Sequence, residues 1–203
     1  KIIAGKSIVG QFFESAVLTA GKDVQATYLL NCQLKANGKL LVEGRKGVII
    51  GGKTCAKLGI SCNGIGNIAE IATVVSVGID KEDMTAYQEL QKKIEQTQAE
   101  LQTCENGLNK LMANPVHDEK VSMMIQRLTR AVYTLKSSRK ELFSERNAQM
   151  EQMTKQKEAR IQVSGRAYPG TLLFLNEDPF AIKEIYNNVE FVKHDNRIDT
   201  LAH

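Results

Sequence analysis

The chain has 203 residues, of which 42% are hydrophobic and 5% aromatic, with no tryptophan and a formal charge of +4. Enough apolar residues are present for a packed core, and the shortage of large rings favours a thin, elongated core of aliphatics over a compact globule. The charge is diffuse: residues 1–80 carry nine basic and five acidic side chains, 81–158 thirteen and twelve, and 159–203 five and six. No block is basic enough for a nucleic-acid footprint. No apolar run reaches the ~18 residues of a membrane span. Neither nucleic acid nor a membrane span is therefore expected.

Residues 1–80 contain an internal repeat. Ala4-Gly5-Lys6, Ala20-Gly21-Lys22, Ala36-Asn37-Gly38-Lys39 and Gly51-Gly52-Lys53 recur at a spacing of about sixteen residues. Each follows an apolar position (Ile3, Leu18, Leu34, Ile50) and precedes a short β-leaning stretch such as Ile8-Val9 or Leu40-Leu41-Val42. Short strands punctuated by glycine at a fixed period are the pattern of a solenoid, in which each coil buries its apolar side against the next. The expected fold is mainly β, a single-stranded parallel β-helix, with the Ala/Gly pairs at corners where the backbone needs positive φ or close approach.

The pattern then changes abruptly at Asp80. Tyr87, Leu90, Ile94, Thr97, Leu101, Cys104, Leu108 and Leu111 follow a strict 3-4 alternation, the seam of a coiled coil. Asn114-Pro115 ends this helix, because proline cannot continue it. A second helix, from near Asp118 to about Glu158, carries Val121, Leu128, Leu135 and Leu142 at sevenfold spacing. A short connection near 113–118 makes the two helices antiparallel, so 81–158 is expected to be a long coiled-coil hairpin inserted into the solenoid. Beyond it the β signal returns in 159–203. Ile161-Gln162-Val163, Thr171-Leu172-Leu173-Phe174-Leu175 and Val189-Glu190-Phe191-Val192 read as strands that resume the same domain.

Three patterns with chemical meaning carry little of it here. Gly47 to Thr54 fits the GxxxxGK[ST] phosphate-loop expression, but that loop needs a helix after it, and Cys55 to Asn67 has no helical period. The acids Glu14, Asp23, Glu43, Glu70, Asp80 and those of the C-terminal stretch are too few and too irregular to suggest paired acid/base carboxylates. The four cysteines, Cys32, Cys55, Cys62 and Cys104, lack metal-finger spacing and read as buried free thiols of a reducing compartment. His117, His194 and His203 do not cluster in sequence. No catalytic residue, metal site or cofactor is expected, and no enzymatic activity.

The stretches Phe13-Glu14-Ser15, Ala20-Gly21-Lys22-Asp23-Val24, Gly44 through Gly52, Ile65-Gly66 and Val77-Gly78, then Val163, Tyr168-Pro169-Gly170, Val189-Glu190-Phe191 and Ile198 after the coiled coil, stand in an order that resembles the FapA family, the flagellar assembly protein A group of bacteria. The resemblance implies a β-helix domain with an inserted coiled coil, a cytoplasmic location extending to the cell pole, and a part in flagellar assembly or polar flagellar control through protein contacts. The sequence opens mid-pattern at Lys1, and on this resemblance the family's N-terminal domain is expected to be absent from it. The alternatives are a self-polymerising cytoskeletal solenoid and a carbohydrate-active one. The expected partners are a second copy of the chain and a flagellar or polar regulatory protein. The candidate contact residues, Val121, Met124, Ile125, Leu128, Val132 and Tyr133, lie toward the hairpin tip, where the second helix shows three apolar positions per heptad.

Overall fold

In the computed structural model, which describes residues 1–113, 118–195 and 197–202, the chain forms two compact units. One comprises Lys1–Lys81 with Met153–His203, the other Glu82–Gln152.

The first unit is a parallel β-solenoid with three strand positions per coil. The first coil holds β1 (Ile2–Ala4), β2 (Ile8–Val9) and β3 (Phe12–Glu14). In the second, β4 (Val17–Ala20) stacks on β1, β5 (Val24–Ala26) on β2, and the first half of β6 (Tyr28–Ala36) on β3. The second half of β6 opens the third coil, followed by β7 (Leu40–Val42) and the first half of β8 (Val48–Ala56). The rest of β8 and β9 (Ile60–Ile65) complete the fourth. A fifth coil starts with β10 (Thr73–Val77), is interrupted by the helices, and resumes in β11 (Ile161–Ala167), which pairs in parallel with β9.

Alternation along each strand turns every second side chain inward, and the register stacks these into columns. One column runs Ile8, Val24, Leu40, Ile60, Ile161 and Phe191; another runs Leu29, Ile49, Ile65 and Ala167. Apart from Ile8, each of these residues is at most 3% exposed. Each buried aliphatic contributes about 1.5–3 kcal/mol, and only neighbouring coils supply the burial. This is the elongated aliphatic core that the ring-poor composition implied.

The repeat is less uniform than the spacing suggested. Strand partners are 16 residues apart in the first coils (Ile2 with Leu18, Leu18 with Leu34), then 20 apart (Leu34 with Thr54, Leu40 with Ile60). The extra residues enter between Val42 and Val48, so the small-residue column is Ala4, Ala20, Ala36 and Ala56. Gly51-Gly52-Lys53 is therefore not the fourth member of the repeat. Gly52 and Lys53 stack on Cys32 and Gln33, one corner earlier in the coil. At that corner Ser15, Asn31 and Gly51 all have φ near +50 to +70°.

The last strands leave the parallel pattern. After β12 (Thr171–Leu175), which lies parallel to β10, Asn176 and Glu177 both adopt positive φ and form a two-residue turn into antiparallel β13 (Asp178–Ala181). Strand β14 (Tyr186–His194) runs antiparallel to β11, and β15 (Arg197–Ala202) antiparallel to β14. These strands resume the same sheet, but as antiparallel pairs laid over the last parallel coil.

The second unit contains most of two helices, α1 (Lys81–Met112) and α2 (Glu119–Lys157). Asp118 starts α2, accepting the Val121 N–H at 2.8 Å. The connection expected near 113–118, with Asn114-Pro115 and His117, falls largely on residues outside the described ones.

Candidate functional site: the helical hairpin

The two helices are antiparallel. Gln98 Oε1 accepts a hydrogen bond from Arg139 at 2.9 Å, Glu105 pairs with Lys136 at 2.9 Å, and Gly107 lies opposite Leu128. Numbers rise on one helix as they fall on the other. Burial follows the 3-4 spacing on α1, where Leu90, Ile94 and Leu101 are buried and Tyr87, Thr97, Cys104, Leu108 and Leu111 half-buried. The α2 seam runs through Val121, Ile125, Leu128, Val132 and Leu135, and from Arg139 on it mixes Leu142 with Arg139, Arg146 and Gln149. In this polar half Arg146 lies over the Phe143 ring at 4.6 Å. The seam is thus aliphatic toward the tip and mixed toward the base.

The six candidate contact residues divide along this seam. Val132 is buried inside the hairpin, and Val121, Ile125 and Leu128 are half-buried against α1. Met124 and Tyr133 face outward, 55% and 79% exposed. Met112 and Met123, which the sevenfold spacing did not single out, are equally open. What signals them in the sequence is three methionines near the facing ends of α1 and α2, all off the seam. Methionine is flexible and polarizable, suited to surfaces that adapt to a partner. Nearer the base a groove of about 440 Å³ runs between the helices, lined by Ala86, Glu89, Leu90, Lys93, Glu145 and Gln149. Its polar, mixed-charge lining marks no chemistry.

A family model, the Flagellar Assembly Protein A beta solenoid domain, matches residues 1–198. The chain belongs to the FapA family. Neither a curated protein nor a solved structure matches it.

On the FapA solenoid, the phosphate-loop expression lies along a strand. Lys53 is exposed within β8, and a turn and β9 follow it where a nucleotide site needs a helix. The Thr54 hydroxyl, which a phosphate loop offers to a metal, is buried in the core, without a hydrogen-bond partner among the described residues. Gly52 has φ +72°, and a Cβ there would collide with the Cys32 backbone. Its glycine serves coil-to-coil approach rather than a phosphate.

The candidate acids also have structural uses. Asp23 Oδ1 accepts the Lys39 N–H at 2.7 Å across one corner, and Asp80 faces Lys35 and Lys57 at 3.7 and 3.9 Å. Among the described residues, no group of His, Cys, Asp and Glu is arranged to hold a metal. All four cysteines are free; Cys32 and Cys62 are buried, Cys55 and Cys104 half-buried. Burial pushes the Cys62 thiol up to about 12, against a smaller lowering by a backbone hydrogen bond from Gly64. Such a thiol is inert packing rather than a nucleophile. No described helix is long and apolar enough to cross a membrane.

Proposed function

We propose that this FapA chain is a non-enzymatic scaffold of flagellar assembly. It works in the cytoplasm, toward the cell pole, by holding protein partners on its helical hairpin. The observation that carries this reading is the outward-facing apolar set of Met112, Met123, Met124 and Tyr133 in the tip half of the hairpin. A seam that only closed α1 against α2 would not need them. Within the solenoid unit, Asn176 clasps the chain where it leaves and returns. Its Oδ1 accepts the Ile79 N–H at 2.9 Å, and its Nδ2 donates to the Lys157 carbonyl at 3.1 Å.

A polymer built by stacking solenoids end to end is the less favoured reading. Beyond the last parallel coil lie antiparallel strands. Edge strand β13 carries Pro179, and edge strand β15 is almost wholly exposed with Arg197, Asp199 and Thr200 along it. Proline and charge on an edge discourage further pairing.

The test uses a Met123→Glu, Met124→Glu variant, which alters outward side chains and leaves the seam intact. Expressed in a flagellated host deleted for its own copy, it should fold and accumulate as the wild type does and fail to restore swimming. Full restoration of swimming by this variant would remove the tip half of the hairpin as the contact surface.

A further inference from the structure

The two helices carry opposite charge in stretches that the hairpin does not lay side by side. From Lys120 to Lys140, α2 contains six cations (Lys120, Arg127, Arg130, Lys136, Arg139 and Lys140) and no acid. From Glu82 to Glu105, α1 contains six acids (Glu82, Asp83, Glu89, Glu95, Glu100 and Glu105) against Lys92 and Lys93. Within one hairpin these stretches are offset by about half its length. The contacts of Gln98 with Arg139, Glu105 with Lys136 and Gly107 with Leu128 lay the basic stretch beside the far half of α1. The only acids there are Glu100 and Glu105, and Lys136 already takes Glu105. Arg139 is held by Gln98. On the outer face of α2, Lys120, Arg127, Arg130 and Lys140 stand exposed around Met123 and Tyr133, and none of the four makes an ion pair among the described residues. On α1 the near-half acids Glu89 and Glu95 are also exposed, with Glu95 accepting a hydrogen bond from Gln91 at 3.4 Å.

We propose that a second copy of this chain covers the basic outer face of α2, its hairpin pointing the opposite way so that its α1 near half lies along that face. The proposal rests on reading the hairpin as the contact element and names the partner. Reversing the direction of the second hairpin removes the offset. The basic stretch of each copy then meets the acidic stretch of the other, and the two-fold axis makes the contact twice. The spacing agrees: Lys120 and Arg127 are seven residues apart on one stripe of α2, as Glu82 and Glu89 are on α1. Met123 and Tyr133 supply the apolar centre between the charges, where an amphipathic ring and a flexible thioether are favoured. Exposed ion pairs are individually weak, so the pairing is a salt-sensitive dimer, with charge setting its direction and specificity.

The test is analytical ultracentrifugation of the full chain. The wild type should dimerise, and its dissociation constant should rise at least about tenfold as salt increases from about 50 to about 500 mM. Two variants, Arg127→Glu with Arg130→Glu, and Glu89→Lys with Glu95→Lys, should each be helical by circular dichroism and monomeric. Mixed one to one, they should form a heterodimer, because each then meets the opposite charge at both contacts. A wild type that stays monomeric at about 100 µM in low salt overturns the pairing. So do variants that dimerise like the wild type, or a mixture that stays monomeric. Binding of the monomer to anionic vesicles through Arg127 and Arg130, with no dimer, overturns it in favour of a lipid surface. The scaffold reading is judged separately, since a monomeric wild type whose Met123/Met124 variant still fails to restore swimming keeps the scaffold and loses only the second copy.

Discussion

Cys62 sits at the same level of the core as Val42 and Val163, which are its strand partners, and its thiol titrates far above the ordinary range because burial disfavours the thiolate. The unfolded chain loses this proton near the ordinary value of 9, and the folded chain only near 12. Between those values the unfolded state binds fewer protons, so stability is intact below about 9 and falls as pH rises toward 12. Denaturant midpoints across that window should fall for the wild type and fall less for Cys62→Val. At neutral pH, iodoacetamide should label Cys55 and Cys104 well before Cys62. The neighbouring corner separates a motif from its mechanism. Lys53→Ala should leave stability within about 0.5 kcal/mol, whereas Gly52→Ala should cost at least 1–3 kcal/mol, because it meets positive φ and the Cys32 backbone together. Chemical denaturation of the two variants measures the contrast. The phosphate-loop match could be discounted from the sequence, because a missing helix period is a local property. The true stacking partner of Gly52 was not legible, because four residues inserted after Val42 shift the repeat without disturbing any local pattern.

At the level of elements, the helices were the most legible part of the chain. A 3-4 alternation that survives eight positions on α1 has no reading other than a helix with one buried stripe. Gly107 is the weak point of that helix, and a Cβ there would reach Leu128 at an ordinary 3.7 Å. Gly107→Ala should therefore stabilise the hairpin by about 0.5–1 kcal/mol, read as a raised helical melting temperature, since it removes backbone entropy without a clash. The antiparallel end of the solenoid was not legible. Leu173 and Val75 are partners across about a hundred residues, and only the positive φ of Asn176 and Glu177 turns β13 back on β12. Asn176 combines that turn with the clasp on Ile79 and Lys157, a double use that no spacing signals. Asn176→Gly keeps the turn and loses the clasp, so it should cost about 1–2 kcal/mol in denaturant titrations while the strands stay paired. Asn176→Ala loses both and should cost more.

For the whole molecule, the solenoid has its own continuous core, running from Ile8 to Phe191 through stacked columns. The contact residues are harder to read than the fold, because the same apolar stripe feeds two surfaces. Val132 closes the hairpin, while Met124 and Tyr133 remain outside it, and only the position of α1 distinguishes them. The central claim is that the hairpin is the working contact element and the solenoid its support. The most direct measurement replaces Glu82–Gln152 by a short Gly/Ser loop. The solenoid fold is first checked by circular dichroism, and flagella per cell are then counted by electron microscopy in a host lacking its own copy. The excised chain should remain β-rich with a cooperative melt, and the cells should lack normal flagella. A folded, normally accumulating solenoid that restores wild-type flagellation without the hairpin would contradict the account.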